Sequence, residues 1–267
     1  MSAPLVDVHV HFLHERSGRA DWEAANRRRL DVGRRIGITV HVASILGTWG
    51  QTSPTYFPSP DDTTCGNDAL LALMRAHPEI AGYVTVNPNF TDHAVREIER
   101  CRAAGMVGIK LAASRRAADP LLDPIAAVAA ARGMPVLQHI WQHRRGEVPG
   151  QEISDALDLI ALAERHPGAT FILAHIGGGG DWAHSLRALA DVPNVVVDLS
   201  GSGVDRGMLE LCLDRVGAAR LVWGTDLTMD TGLAKLRALE ALGAGPEALA
   251  DVRWRTANRL FGLGLAA

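Results

Sequence analysis

Short apolar runs rich in β-branched residues recur along this chain, and each is followed by a stretch with helical periodicity. Nearly continuous apolar character is typical of parallel strands that are buried on both faces. Eight runs are present: LVDVHVHF (5–12), IGITVHVASI (36–45), IAGYVTVNP (80–88), MVGIKLA (106–112), MPVLQHI (134–140), ATFILAHI (169–176), NVVVDLS (194–200) and RLVWGTD (220–226). Helices are predicted at 18–35, 67–77, 92–104, 122–132, 152–166, 182–190, 205–216 and 231–241, with a last one at roughly 246–261.

This alternation predicts right-handed βαβ units and therefore an α/β fold. Eight units favour a single (β/α)8 TIM barrel, and the length of 267 residues fits one such domain over 1–267. An open, doubly wound sheet is the alternative. It would be expected to carry a phosphate-binding glycine motif after the first strand, where this chain has His-Val-His-Phe.

Two connections stand out. A long polar loop is predicted at 47–65, after the second strand, and a glycine-rich turn at 177–181 follows the sixth strand. Both would lie at the C-terminal mouth of the barrel, where enzymes of this fold keep their active sites.

Composition excludes several classes of protein. The net charge is −3, with 27 basic and 30 acidic residues, so no nucleic-acid partner is expected. The one basic cluster, Arg27–Arg29 with Arg34 and Arg35, is interpreted as a solvated helix face. Three isolated cysteines offer neither a disulfide framework nor a zinc–thiolate pair.

The sequence also lacks a long apolar segment. There is no apolar run of about 18 residues and no signal-peptide pattern at the start of the chain. We therefore expect no membrane contact and a cytoplasmic location. A homodimer would be the commonest assembly for a soluble oligomer.

Histidines at strand ends carry the functional signal. His9 and His11 are two residues apart on the first strand, so their side chains share a face. His139 and His175 end the fifth and sixth strands, and Asp226 ends the eighth. A barrel would bring these five groups into one ring, which predicts a divalent metal with a coordination position left for water.

The same positions resemble the amidohydrolase superfamily. Several sequence segments resemble its "amidohydrolase 2" branch, which includes aminocarboxymuconate-semialdehyde decarboxylase-like enzymes. They include DVHVHF, GIKL, PVLQH, FILAHIGGGGDW, WGTDL and ANRLFGL. The similar segments extend from end to end of the chain. The resemblance implies either a metal-activated water or a metal-organised acid that loses carbon dioxide.

The resemblance also implies roles for individual residues. His9, His11 and His139 would bind the metal, with Asp226 as a further ligand that also moves a proton. His175 would either complete the ligand set or polarise the substrate oxygen. Zn²⁺ is the expected metal, with Mn²⁺ as an alternative and no organic cofactor.

Two roles are open for Lys110, in the segment GIKL. In some superfamily members a carboxylated lysine at this position bridges two metals; otherwise Lys110 would line the pocket and contact substrate. The branch commonly continues with His-Pro soon after this strand, whereas this chain reads KLAASRRAAD. That departure argues against a substrate contact from this loop, which the resemblance would otherwise imply.

Aromatic residues in the mouth loops are the remaining candidates for substrate binding. Trp49, Tyr56 and Phe57 lie on the second loop, and Trp141 and His143 follow the fifth strand. We predict a metal-dependent hydrolase of a small lactone, amide or ester-like substrate. The alternative is a metal-dependent decarboxylase of an aromatic or unsaturated acid, and a non-catalytic metal-binding barrel is the least favoured reading.

Overall fold

The computed structural model describes residues 3–140, 148–178, 181–203, 205–227 and 229–266. Within them, eight parallel strands pair in chain order. The strands are Val6–His11 (β1), Val40–Ser44 (β2), Ile80–Val86 (β3), Gly108–Leu111 (β4), Val136–Gln138 (β5), Phe171–Leu173 (β6), Val195–Asp198 (β7) and Leu221–Val222 (β8).

Helices fill the connections between these strands. Their bounds are Trp22–Ile36 (α1), Pro60–Ala76 (α2), Thr91–Ala103 (α3), Asp123–Arg132 (α4), Ala156–Arg165 (α5), Trp182–Leu189 (α6), Met208–Arg215 (α7), Met229–Ala241 (α8), Pro246–Ala250 (α9) and Thr256–Phe261 (α10). A π-helical turn, Asp251–Arg255, joins α9 to α10. No helix in the described part of the chain is long and apolar enough to cross a membrane.

Hydrogen bonds beyond β8 bring the last strand beside the first. The Val8 amide donates to the Trp223 carbonyl at 3.0 Å, and the Asp226 amide donates to the His9 carbonyl at 2.7 Å. The eight strands thus form a (β/α)8 barrel, as the alternation of strands and helices predicted.

The connection after β2 is shorter than predicted. Helix α2 begins at Pro60, so residues 60–65 are helical and only 45–59 separate the helix from β2. The Ser59 side chain accepts a hydrogen bond from the Asp62 amide at 3.2 Å and caps the helix, while Pro60 suits its first position. The polar composition of this segment belongs to a helix start rather than to loop.

The basic cluster on α1 is only partly a solvated face. The Arg28 side chain is 63% exposed, whereas that of Arg29 is 12% exposed. Arg29 faces the barrel because α1 packs its buried side, including Leu30 and Gly33, against the strands. The interpretation of the whole cluster as solvated was therefore wrong at Arg29.

Two apolar clusters form the core. The larger one lies between the strands and the surrounding helices. The smaller one joins strands from different sides of the barrel, including Val8, Leu137 and Ile172, to Ala257 and Phe261 of α10. Side chains from separated strands can meet only in the barrel interior, so α10 closes the N-terminal end of the barrel.

A β-bulge in β1 determines which way its histidines face. Val6 pairs with Val40 and Val10 with Ala43, but the register shifts between Asp7 and Val10. Val8 and His9 therefore both point into the barrel, although they are neighbours in sequence. An extra residue of this kind re-aims the side chains that follow it. Without the bulge, a strand with Val6 and Val8 inside would turn His9 and His11 outward.

Candidate metal centre

The predicted ring of histidines and Asp226 lies at the C-terminal mouth of the barrel. His9 and His11 come from β1, while His139, His175 and Asp226 follow β5, β6 and β8. The Nε2 atoms of His9 and His11 are 3.3 Å apart. Asp226 Oδ2 is 3.5 Å from His175 Nδ1, and His175 Nε2 is 3.1 Å from His139 Nδ1.

Three of these groups have the spacing that one metal ion requires. Asp226 Oδ1 is 3.3 Å from His11 Nε2 and 3.8 Å from His9 Nε2. Ligand atoms at about 2.1 Å from a tetrahedral ion lie roughly 3.4 Å from one another. His9, His11 and Asp226 therefore fit a divalent ion, and imidazole with carboxylate is a donor set suited to zinc and to manganese.

His139 lies beside this triangle rather than in it. Its ring contacts His175 at a centroid distance of 4.8 Å and Tyr56 at 5.3 Å. Two groups of three potential metal ligands occur among the described residues, and His139 belongs to neither of them. Its role as a fourth ligand stays a prediction.

Hydrogen bonds to the far ring nitrogens orient the β1 histidines. His9 Nδ1 is 2.7 Å from Asp198 Oδ2, and His11 Nδ1 is 2.9 Å from Ser44 Oγ. A carboxylate on Nδ1 keeps the proton there and leaves Nε2 as the lone-pair donor for a metal. Ser200 Oγ lies 3.2 Å from both His9 Nδ1 and His175 Nδ1, which ties β7 to the site.

These supporting residues were missed in the sequence. Asp198 ends β7 just as Asp226 follows β8, so the rule that identified the other strand-end groups applies equally to the phrase NVVVDLS. Asp198 and His9 also belong to a second cluster of potential ligands with His175. The 2.7 Å contact between Asp198 and His9 Nδ1 indicates that Asp198 orients the imidazole.

Lys110 lies beneath the triangle. Its side chain is fully buried, and Nζ is 3.2 Å from His9 Nε2. Burial lowers the pKa of Lys110 to about 8, against the pull of Asp226 and Asp198. The lysine thus adjoins a ligand atom but does not line the open cavity.

Burial keeps the imidazoles neutral. It lowers the pKa of His9 and of His139 well below the usual value, and that of His175 to about 3. Burial opposes ionisation of Asp226 too, but its hydrogen bond with His11 holds the pKa of that carboxyl well below its usual range. Neutral imidazoles and an ionised carboxylate are the forms that bind a divalent metal.

The backbone is strained around this site. Trp49, His175 and Asp226 have φ values of 55°, 63° and 54°, in the left-handed region that non-glycine residues rarely adopt. Such residues cost about 1–3 kcal/mol each and persist where the surroundings hold them, most often at functional sites. Two of the three are groups of the predicted ring.

A cavity of about 240 Å³ opens above the triangle. Trp49 and Tyr56, two of the predicted substrate contacts, line it together with His11, His139, His175 and Asp226. Phe57 is not among the lining residues; its ring packs near Phe90 at 6.0 Å. The predicted contacts Trp141 and His143 lie outside the described residues.

Comparison with known proteins places this geometry in context. The family model described as amidohydrolase matches residues 6–263. No curated protein matches the chain. The fold is similar to 2,6-dihydroxybenzoate decarboxylase from Rhizobium, with a TM-score of 0.75 and 17% identity over 98% of this chain and 99% of that one.

Two further structures are similar. One is dihydroxybenzoic acid decarboxylase from Polaromonas with bound manganese and the inhibitor 2-nitroresorcinol, at a TM-score of 0.73 and 17% identity over 99% of this chain and 98% of that one. The other, from Pseudomonas putida, is provisionally assigned as a 2-pyrone-4,6-dicarboxylic acid hydrolase, at a TM-score of 0.64 and 18% identity over the full length of both chains. At these identities the similarity establishes the fold, and the family follows from the model that spans the barrel: the chain belongs to the amidohydrolase family, in its amidohydrolase 2 branch.

Proposed function

We propose that this chain is a metal-dependent hydrolase of a small carbonyl compound such as a lactone, amide or ester-like ring. The observation that carries the proposal is the position of Asp226. Its carboxylate is 22% exposed and lies between the imidazoles of His11 and His175, at 3.3 Å and 3.5 Å. A carboxylate in this position can serve the metal with one oxygen and move a proton with the other.

His9, His11 and Asp226 would hold the ion, with His139 as the predicted further ligand. When bound, a divalent ion would polarise a carbonyl and lower the pKa of water to about 7. The neutral His175 imidazole can donate a hydrogen bond to the substrate oxygen while Asp226 accepts the proton of the attacking water. Asp226 can then return that proton to the leaving group.

The cavity lining supports a ring-shaped, largely apolar substrate. Trp49 and Tyr56 supply flat aromatic surface, and Leu46, Ile140 and Leu227 supply aliphatic surface. The imidazoles and the carboxylate of the lining lie together at the metal end, so a substrate would lie with its carbonyl toward the histidines. A volume of about 240 Å³ suits one ring with small substituents.

Decarboxylation is the second candidate, because the Rhizobium and Polaromonas structures are decarboxylases. Its substrate would bring a carboxylate into the cavity. Of the described residues that line the cavity, none is an arginine or a lysine. Arg115 and Arg116, which follow β4 and could hold a carboxylate, do not line the cavity. Arg144 and Arg145, the other arginines that could do so, lie outside the described residues. Because the described lining offers a carboxylate no cationic side chain, hydrolysis remains the proposal.

Turnover in ¹⁸O-labelled water separates the two reactions. Metal-loaded protein would be screened against lactones, cyclic amides and aromatic acids, and the products analysed by mass spectrometry. Hydrolysis incorporates the label into the product acid, whereas decarboxylation releases carbon dioxide and leaves an unlabelled product. An active substrate that loses carbon dioxide without label uptake would exclude the hydrolase. Asp226→Asn should reduce turnover of the authentic substrate by about 10²–10⁴-fold, and unchanged turnover would remove Asp226 from the mechanism.

A further inference from the structure

We propose that Arg29 of α1 is a positioning residue for Asp226. Its guanidinium holds the strained backbone from which the carboxylate reaches the metal centre. The inference rests on the proposed function only in treating Asp226 as a metal ligand. The hydrogen bond between the two residues is made at the Asp226 carbonyl. The positioning therefore acts through the backbone, in addition to the charge attraction between the two side chains.

The backbone of Asp226 is held from two sides. Its amide donates to the His9 carbonyl at 2.7 Å, and its own carbonyl accepts a hydrogen bond from Arg29 Nη2 at 2.5 Å. The residue has a φ of 54°, and it has a β-carbon that disfavours this conformation. Two hydrogen bonds on opposite sides of one residue are the kind of restraint that a left-handed side-chain-bearing residue requires.

A buried network fixes the guanidinium in turn. Arg29 Nη2 also donates to Thr225 Oγ1 at 2.5 Å and lies 3.8 Å from Asp7 Oδ2. Asp7 is fully buried and accepts hydrogen bonds from the Thr225 amide at 3.0 Å and from the Thr225 hydroxyl at 2.6 Å. A buried carboxylate needs a nearby cation, and Arg29 supplies it. The hydrogen bonds of Thr225 with Asp7 and Arg29 therefore fasten the segment after β8 to β1 and α1, at the residue next to Asp226.

The planar guanidinium suits this role better than an ammonium group. Its Nη2 group donates to both the Thr225 hydroxyl and the Asp226 carbonyl, in directions that the guanidinium plane fixes, while its charge faces Asp7. Lysine keeps the charge, but its rotating ammonium group does not fix the donor directions in this way. Arg29→Lys should therefore retain the fold and lose part of the positioning.

Cobalt binding provides a test that does not require a substrate. Metal-free wild-type protein and the variants Arg29→Met, Arg29→Lys and Arg28→Met would be titrated with Co²⁺. Affinity would be measured by competition with a chelator, and ligand geometry by the visible absorption spectrum. Arg28 is the matched control, since it lies on the same helix with its side chain 63% exposed.

We expect Arg29→Met to bind Co²⁺ about 10–100-fold more weakly than wild type and with an altered spectrum, as is usual when a residue that supports a ligand is lost. Arg29→Lys should fall between the two, and Arg28→Met should match wild type. If Arg29→Met does not fold, Arg29→Lys carries the comparison.

Two results would overturn the inference alone. One is an Arg29 variant that is folded and binds Co²⁺ with the wild-type affinity and spectrum. The other is a variant with a lower melting temperature but an unchanged spectrum, which would make Arg29 structural only. Failure of folded wild-type protein to bind Co²⁺ at all would instead overturn the proposed metal centre, and the role of Arg29 with it.

Discussion

The two halves of the barrel interior differ sharply although the same strands build both. Toward the N-terminal end, the inward side chains are apolar and pack on Phe261 of α10. At the mouth they are imidazoles, carboxylates, a lysine and hydroxyls. The change occurs between one inward side chain and the next: from Leu137 on β5 to His139 just after it, and from Val196 to Asp198 on β7.

This contrast separates stability from chemistry. Burial of the side chains in the lower half, toward the N-terminal end of the barrel, removes apolar surface from water. Burial of the side chains in the upper half, at the mouth, costs free energy that hydrogen bonds only partly restore. The mouth also contains the backbone strain: Trp49, His175 and Asp226 all lie beyond strand ends. We infer that the lower half stabilises the barrel and that the upper half is destabilising in exchange for a site.

Removing the β1 histidines should have the largest effect, and the effect should be confined to the upper half of the barrel. The double variant His9→Ala, His11→Ala takes away two of the three groups with metal-ligand spacing, so bound divalent metal should fall to background. The fold should persist, because the packed apolar cluster lies below these residues. Elemental analysis and circular dichroism measure the two effects. His184→Ala, at an exposed histidine of α6, is the control, and a double variant that keeps its metal would make the pair structural.

The reciprocal change targets the lower half. Phe261 is 6% exposed and contacts Tyr83 at a ring distance of 5.6 Å. Phe261→Ala should lower the free energy of unfolding by about 3–5 kcal/mol through lost burial and a cavity, and leave metal affinity unchanged. Urea denaturation of metal-free protein measures the first effect and chelator competition the second. The control is Leu157→Ala, at a half-exposed site; a matching loss of metal affinity in Phe261→Ala would show that the halves are coupled.

The fold could be read from the sequence because its signal is repeated. Eight apolar runs alternate with amphipathic stretches, so an error at one boundary does not change the architecture. The boundary at α2 shows the limit: Ser59-Pro60 is a helix-start signal, but it stands in a polar segment that also reads as loop. Local sequence alone does not decide between those readings.

The bulge in β1 could not be predicted. The alternation Val6-Asp7-Val8-His9 looks the same with or without an inserted register shift, and only pairing with β2 reveals it. Arg29 was misread for a related reason. Its neighbours Arg27 and Arg28 are exposed. Which side of the helix is buried can be assigned only when its packing against the barrel is known. Strand-end groups of the site were predictable because they lie where parallel strands converge, whereas their supports come from elsewhere in the fold.

The smallest expected effect is a difference in metal affinity between variants of the two residues that orient the β1 histidines. Asp198 and Ser44 both contact an Nδ1 atom, at 2.7 Å and 2.9 Å, and both are buried. A carboxylate fixes the imidazole tautomer through a charge-assisted hydrogen bond, so Asp198→Asn should weaken Co²⁺ or Zn²⁺ binding by about 10–100-fold. A hydroxyl makes a neutral bond of about 0.5–1.5 kcal/mol, so Ser44→Ala should weaken it by only about two- to tenfold. Chelator competition on both variants, with melting curves to verify folding, measures the difference. Equal losses would show that the charge of Asp198 contributes no more than the neutral hydrogen bond of Ser44. A larger loss in Ser44→Ala would make His11 the dominant ligand and reverse the order of the two supports.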